Sequence, residues 1–356
     1  MYCSDKKNGL KVLIVKMSSM GDVVHCLPAL NDAVKARKEV TFDWVVEENF
    51  SPVVKVSPYV DRVIEIGMRR WRRNLLSPSV WKEMRSFRRR LRERNYDLIV
   101  DAQGLIKSAI VAWLAKGIVK GFDSRSARES IASLFYQEKY TVSKDMHAID
   151  RIRKLFALSL GYGIELKTTD IGLNDRQDKK LKNVIFIHGT TWKSKEWPLE
   201  YWKELSKLAK QDGFDPIVTW GNLREKARCE DIKRSVPDIS ILPKMPLADL
   251  IQLLGKMSGV VTVDTGLGHL AAAMDIPTVA VFGSTDESLT GVRGSKSLLI
   301  SDREIECRPC RSRSCRISSS LCSGKVYPPC YEKISPEKVW RELTNQINKT
   351  DLVSDL

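Results

Sequence analysis

Short apolar runs rich in β-branched residues alternate along this chain with segments whose apolar positions recur every three or four residues. The first run, residues 11–15 (Lys11, Val12, Leu13, Ile14, Val15), has the composition of a strand buried on both faces. A small-residue loop over 16–21 follows, and Asp22 opens an apolar-periodic segment that reads as a helix. Strands are predicted at 40–48, 62–66 and 97–102. Residues 148–160 read as a long helix with Ile149, Ile152, Leu155, Phe156 and Leu160 on one face. Residues 161–182 are polar, contain glycine and lack a clear period, which marks a linker. A second series supplies strands at 184–187, 215–220, 259–263 and 277–282, with helical patterning at 198–210, 225–234 and 246–257. A last helix is expected over 336–348, with Ser335 as N-cap and Pro336 at its first position. Strand and helix alternating twice over predict two parallel-sheet α/β domains facing a cleft.

At 356 residues the chain is long enough for two separate cores. Its hydrophobic content of 43% and charged content of 29% are ordinary for a soluble globular protein. The opening MYCSDKKNGL lacks the apolar core of a signal peptide. The densest apolar run, 109–115, stops at Lys116, far short of the ~20 residues of a membrane span. A cytoplasmic location is expected, where thiols stay mostly reduced.

The net charge of +15 changes the picture, because it calls for nucleic acid, an anionic membrane face or a polyanionic substrate. Arg69, Arg70, Arg72 and Arg73 surround Trp71, and four adjacent guanidinium groups repel one another unless an anion is near. Lys82, Arg85, Arg88, Arg89, Arg90, Arg92 and Arg94 follow, interleaved with Trp81, Met84, Phe87 and Leu91 at helical spacing. Such a segment is either a solvated surface helix or a basic amphipathic helix lying on a membrane. No DNA- or RNA-reading motif accompanies the charge, so nucleic acid is not expected as a partner.

Candidate chemistry sits at strand ends, where doubly wound sheets bind ligands. Asp22 is either the N-cap of its helix or a carboxylate offered at the mouth of the sheet. Residues 188–195 (His188, Gly189, Thr190, Thr191, Trp192, Lys193, Ser194, Lys195) combine backbone N–H groups, hydroxyls and lysines, which suits a diphosphate. Glu225, after Trp220 and Gly221, is placed to accept bonds from ribose hydroxyls. Asp264, Thr265, Gly266, Leu267, Gly268 and His269 form a small-residue turn into a helix expected at 270–274, and helix N-termini attract phosphate. His269 is either a phosphate contact or a satisfied core histidine. No Asp-x-Asp tripeptide occurs, so a carboxylate pair bridging Mg²⁺ to a diphosphate is not evident. Toward the C-terminus, Cys307, Cys310, Cys315, Cys322 and Cys330 include one C-x-x-C pair. Cys307, Cys310, Cys315 and Cys322 could bind a structural zinc, or all could be reduced thiols in a surface loop.

Three blocks, KMSSMGDVVHCLPAL (16–30), DAQGLIKSA (101–109) and VDTGLGHLAAA (263–273), resemble signature segments of the ADP-heptose glycosyltransferase family, in its lipopolysaccharide heptosyltransferase I group. The resemblance runs, with gaps, from about residue 11 to 283. It implies two Rossmann-like domains facing a cleft in the GT-B arrangement: 1–165 binding the acceptor, 183–330 binding ADP-heptose, and a C-terminal helix, 331–356, returning to the first domain. The implied activity is inverting, metal-independent transfer of L-glycero-D-manno-heptose from ADP-heptose to the Kdo of Kdo-lipid A. No cofactor is required for that catalysis. The implied setting is the anionic inner leaflet of the inner membrane, with the enzyme peripherally attached from the cytoplasm. By the same resemblance Asp22 is the base and Lys195 steadies the departing ADP. Thr190, Thr191 and Lys195 hold the diphosphate, Glu225 the ribose, and Met245 lines the adenine pocket. Asp264, Thr265, Gly266 and His269 complete the donor site. Arg69, Arg70, Arg72 and Arg73, with Lys107 and Arg128, take the acceptor. Arg73 stands where other members can carry Lys, and Cys-rich tails are more typical of members resembling heptosyltransferase II. An enzyme adding the second heptose, a nucleotide-sugar epimerase on the same scaffold, and a basic nucleic-acid-binding protein are the rival readings.

Overall fold

Buried β-branched runs form the spines of two sheets. The computed structural model describes residues 9–166, 182–317 and 326–354. Its first sheet comprises β1 (Leu10–Val15), β2 (Val40–Glu47), β3 (Val60–Ile66), β4 (Leu98–Asp101), β5 (Ile118–Phe122) and β6 (Glu138–Tyr140). The second comprises β7 (Asn183–Ile187), β8 (Asp215–Val218), β9 (Ser240–Ile241), β10 (Gly259–Val263), β11 (Thr278–Phe282) and β12 (Ser297–Ser301). Strand orders are β3-β2-β1-β4-β5-β6 and β12-β11-β10-β7-β8-β9, with every neighbouring pair parallel. Counted from its own first strand, the second sheet repeats the order of the first. Each is a Rossmann-like doubly wound sheet, so the expected α/β class is what the chain adopts. The chain divides into two compact units, Met1–Gly172 and Leu173–Leu356, and the expected linker spans that boundary.

Strand order reverses between β1 and β4 in the first unit and between β7 and β10 in the second. The crevice beyond the carboxyl ends at such a reversal is where ligands bind. In the first unit Leu13, Val15 and Ile99 share a core with Trp71, Phe87, Ala109 and Tyr136 on one face. On the other face helices Leu27–Ala36 and Ala148–Leu160 pack together, and Phe42 meets Phe156. In the second unit Phe186, Val261 and Val281 pack against Trp197, Trp202 and Leu205.

Two expectations are corrected, the single helix after β1 and the number of strands. The helix opened at Asp22 is two helices, Met20–Val24 and Leu27–Ala36, because Pro28 has no N–H to continue the first and starts the second well. The last helix, Pro336–Ser354, was expected to return to the first domain. Its stripe of Val339, Trp340, Leu343 and Ile347 is part of the second unit's core, and Trp340 Nε1 donates to Asp212 at 2.6 Å. β5, β6, β9 and β12 were not predicted, and two of them, β6 and β9, have only three and two residues.

Candidate active site

Beyond β1 the chain is tied to the turn after β4 by polar bonds. Lys16 is buried, and its Nζ donates to Ala102 O at 3.1 Å. Gln103 Oε1 accepts from Met17 N at 2.7 Å, while Gln103 N donates to Asp101 Oδ1 at 2.9 Å. Asp101 is fully buried and accepts from Tyr136 Oη at 2.7 Å and Ser108 Oγ at 2.8 Å. These bonds hold in place the short helix that carries Asp22.

Asp22 is not the N-cap. Ser19 occupies that position, and Asp22, three residues on, supplies the acidic half of a capping box. Its Oδ2 accepts from Ser19 N at 3.0 Å and Ser19 Oγ at 2.7 Å. Its Oδ1 faces Lys16 Nζ at 3.7 Å and Arg128 Nη1 at 3.6 Å. Burial pushes the carboxyl up, but Lys16, then Arg128, the Ser19 bond and His25 together outweigh it. The group is held well below the usual carboxylate range and is therefore ionised. One oxygen is committed to the helix start, and the other can receive a proton.

The second unit gathers its own cluster at the β7–β10 reversal. Buried Asp264 takes Lys195 Nζ at 2.7 Å and the Thr285 hydroxyl at 2.7 Å on Oδ2. His269 Nε2 lies 3.5 Å from Oδ1, and Thr190 Oγ1 donates to the Asp264 carbonyl at 3.3 Å. Burial raises the Asp264 carboxyl, and the His269 bond with the Lys195 charge outweighs it, so this group also stays ionised. Lys195 Nζ sits 4.6 Å from the Trp192 ring centroid, a cation–π contact that helps fix the ammonium. Thr265 caps the helix Gly266–Ala273 without a side-chain bond, leaving first-turn N–H groups for a ligand. That helix begins four residues before its expected start. Gly268 is required there, because a Cβ would lie 2.5 Å from Thr262 Oγ1 on β10.

Glu225 lies in the first turn of the helix Leu223–Ser235, whose N-cap Asn222 accepts from Glu225 N at 3.0 Å. Its carboxylate accepts from Gly221 N at 2.6 Å and Asn222 Nδ2 at 2.8 Å. A Cβ on Gly189 would come within 2.6 Å of that carboxylate, so the Glu225 turn and the Thr190 loop are in contact. Thr191 is exposed, and Met245 packs with Ile187, Leu250 and Ala271, outside the hydrogen-bonded group. Beneath the loop, buried His188 places Nε2 at 3.1 Å from Cys229 Sγ, and burial, with Arg228 next, pushes its pKa down to about 3.

Ser194, between Trp192 and Lys195, joins this loop to the cysteine-bearing segment. Its Oγ meets Ser284 Oγ at 2.9 Å and donates to Ser312 O, and its N donates to Arg313 O at 3.3 Å. Tyr331 Oη donates to Ser194 O at 3.4 Å. Burial, with Cys310 and Cys315 nearby, pushes the Cys307 thiol up, and burial does the same to the buried Cys330. Among the described residues no three His, Cys, Asp or Glu side chains are arranged to hold a metal ion, and Cys322 lies outside the described residues.

The arginine cluster is partly answered within the chain. Arg70 pairs with Glu48 at 3.1 Å and Glu83 at 2.8 Å. Arg69 lies 4.8 Å from the Phe50 centroid, with its N bonded to Glu47 Oε1 at 2.9 Å. Arg72 and Arg73 are exposed, and among the described residues no ion pair takes up either. Lys107 is lowered by burial, with Glu47 opposing and Arg69 and Arg72 adding, so these groups share one neighbourhood. Arg128 lies beside Asp22. Lys16 and Glu47 were passed over in the sequence. Their only signal was position, a charged residue at the carboxyl end of a strand otherwise buried.

Twin doubly wound sheets with charged groups at both reversals, one set suited to a diphosphate, define a nucleotide-binding α/β enzyme. The model of glycosyltransferase family 9 (heptosyltransferase) matches residues 84–320, and the chain belongs to this family. It is 39% identical over 345 residues to lipopolysaccharide heptosyltransferase 1 of Pseudomonas aeruginosa, across 94% of this chain and 97% of that protein. The Escherichia coli K12 protein of the same name is 40% identical over 323 residues, covering 89% and 99%. A solved structure of E. coli heptosyltransferase WaaC with ADP matches with a TM-score of 0.78 at 41% identity, over 82% of this chain and 92% of that one.

Proposed function

We propose that this heptosyltransferase moves L-glycero-D-manno-heptose from ADP-heptose to the Kdo of Kdo-lipid A, with inversion and without a catalytic metal. The observation that carries the reading is Asp22: an ionised carboxylate with one oxygen anchored and the other turned to two cations. Its Oδ1 takes the proton of the acceptor hydroxyl as that oxygen bonds to the anomeric carbon. The bond from that carbon to the ADP oxygen breaks, through a transition state with oxocarbenium character. Lys195 and the N–H groups at Gly266 meet the charge left on ADP, and Glu225 holds the ribose. A base held this far below neutral is weak. Arg128 is 56% exposed, whereas Lys16 is buried and tied to Ala102, so Arg128 is the cation an anionic acceptor can engage. Drawing that charge away raises the basicity of Asp22 when acceptor is bound.

Exposed Arg72 and Arg73, with Arg69 and Lys107, suit the carboxylates and phosphates of such an acceptor. The similarity to proteins named heptosyltransferase 1 supports an acceptor not yet heptosylated. Among the described residues no helix is long and apolar enough to cross a membrane. Transfer from ADP-heptose to Kdo-lipid A, with and without a first heptose, tests the reading. Product from the unheptosylated acceptor is expected. Elongation of the heptosylated acceptor alone overturns it.

A further inference from the structure

The cluster at the β7–β10 reversal is short of positive charge for the ligand it suits. Asp264 Oδ2 sits 2.7 Å from Lys195 Nζ, so the ammonium proposed to meet the diphosphate is already answered by a carboxylate of the chain. Glu225 adds another carboxylate at the neighbouring turn. A sugar-linked nucleoside diphosphate brings more than one negative charge, and the departing oxygen adds to it as its bond to the sugar breaks. The N–H groups at a helix start carry only partial charge. On the metal-free reading, the remainder must be met by a cation of the chain.

The segment that carries the thiols supplies one. Its backbone and its first arginine are pinned to two loops of the donor side. Arg308, its side chain 4% exposed, donates to Gly283 O, to Thr285 O at 3.1 Å and to Glu287 Oε2 at 2.9 Å. Arg311 N donates to Ser284 O at 2.9 Å. Those bonds fix the loop after β11, where the Thr285 hydroxyl holds Asp264. On the β7 side, Ser312 O accepts from Ser194 Oγ, and Arg313 O accepts from Ser194 N at 3.3 Å. From this anchored backbone the Arg313 guanidinium reaches the Trp192 ring, 5.9 Å from its centroid. Lys195 Nζ lies 4.6 Å from the centroid of the same ring. Arg308 and Arg311 are paired with Glu287 and Asp286. Arg313 is exposed, and among the described residues no carboxylate pairs with it. Lys193 is likewise exposed and unpaired, but among the described residues only Lys195 and Arg313 share the Trp192 ring.

We propose that Arg313 is the second cation of the diphosphate subsite. Its guanidinium donates to phosphate oxygens of bound ADP-heptose beside Lys195, bidentately where two oxygens face it. When the bond from the anomeric carbon to the ADP oxygen breaks, the electron pair stays on that oxygen, and the two cations meet the charge. Repulsion between the cations around one aromatic ring is relieved by the anion they share. The cysteine-bearing segment thereby contributes a ligand-binding side chain as well as backbone bonds. The inference rests on the reading that Lys195 holds the donor diphosphate.

The test is calorimetry on the full chain with ADP, and with adenosine by competition, since the two ligands differ only in the diphosphate. The wild type should prefer ADP by at least ~10-fold. Arg313→Gln should lower ADP affinity by ~10-fold or more and change adenosine affinity by less than ~3-fold. Arg313→Lys should lose less, because the charge remains and only the planar fork is gone. Arg316→Gln, the same loss of charge three positions on, should bind ADP like the wild type. Unchanged ADP affinity in Arg313→Gln, an equal loss for adenosine, or an equal loss in Arg316→Gln overturns the proposal. A preference for ADP that Lys195→Ala removes and Arg313→Gln does not overturns it and leaves Lys195 standing. A wild type that binds ADP no better than adenosine overturns it together with the donor-site reading. If no Kdo acceptor is elongated while Arg313→Gln still loses the preference for ADP, the acceptor reading falls and Arg313 stands.

Discussion

Lys195 allows holding a ligand to be separated from holding the fold. Its Nζ is 2.7 Å from Asp264 Oδ2, with the two side chains 16% and 7% exposed. At an effective dielectric of ~20, unit charges at that separation attract by about 6 kcal/mol before desolvation is counted. Removing one partner of such a buried pair typically costs about 3–5 kcal/mol. Asp264 keeps the Thr285 hydroxyl and His269, so Lys195→Ala should cost less, about 2–3 kcal/mol of folding stability. If the ammonium also holds the diphosphate, ADP affinity should fall by about 2–3 kcal/mol, or roughly 30- to 150-fold. The decisive protein is the double variant Lys195→Ala, Asp264→Asn. Without the unpaired carboxylate its stability in urea should return to within about 1 kcal/mol of wild type, while calorimetry should still find ADP binding weak. Recovery of ADP affinity in the double variant would mean that the lysine only neutralises Asp264, and the diphosphate assignment would be wrong.

Asp22→Asn should lower kcat by about 10²–10⁴-fold and leave ADP affinity near wild type, and a near-normal kcat would remove Asp22 from the mechanism. Activity should survive exhaustive EDTA treatment; loss that Mg²⁺ alone restores contradicts charge neutralisation by Lys195 and the helix N-terminus. His188 predicts an acid limb in stability, because its folded pKa of about 3 lies below the unfolded value near 6.5. The unfolded chain binds the extra proton between those values, so this contribution is full above pH ~6.5 and is lost as pH falls toward 3, by at most about 1.4 kcal/mol per unit. Urea midpoints across that window should slope less in His188→Gln, and identical slopes would refute the assignment.

Legibility followed burial and chain order. The strands at 11–15, 184–187 and 259–263 were readable because both their faces are covered and their composition is almost wholly apolar. The turns after β7 and β10 were readable as strand-end loops because chain order alone puts both at carboxyl ends. Short edge strands such as β9 left too few residues for a period. What the sequence concealed was partnership. Whether Ser19 or Asp22 caps the helix is settled by two hydrogen bonds, and either residue type caps well. The repulsion expected at Arg70 is met by Glu48 and Glu83, which lie 22 and 13 positions away. The last helix shows the same limit: its apolar stripe was legible, but the surface that would cover it was not. The ligand roles of all these residues are those the family resemblance implies, and Thr191 and Met245 also lie outside the hydrogen-bonded group.

Ser194 makes the cysteine segment a backing plate for Lys195. The bonds from Ser194 to residues 312 and 313, and from Tyr331, reach the loop one residue before Lys195. A reagent that lifts residues 312–313, for instance by adding bulk at Cys310 or Cys315, withdraws that brace. Lys195 would then keep its carboxylate partner but lose its fixed aim. The thiols thus offer a handle on this loop through its backbone, one residue before Lys195.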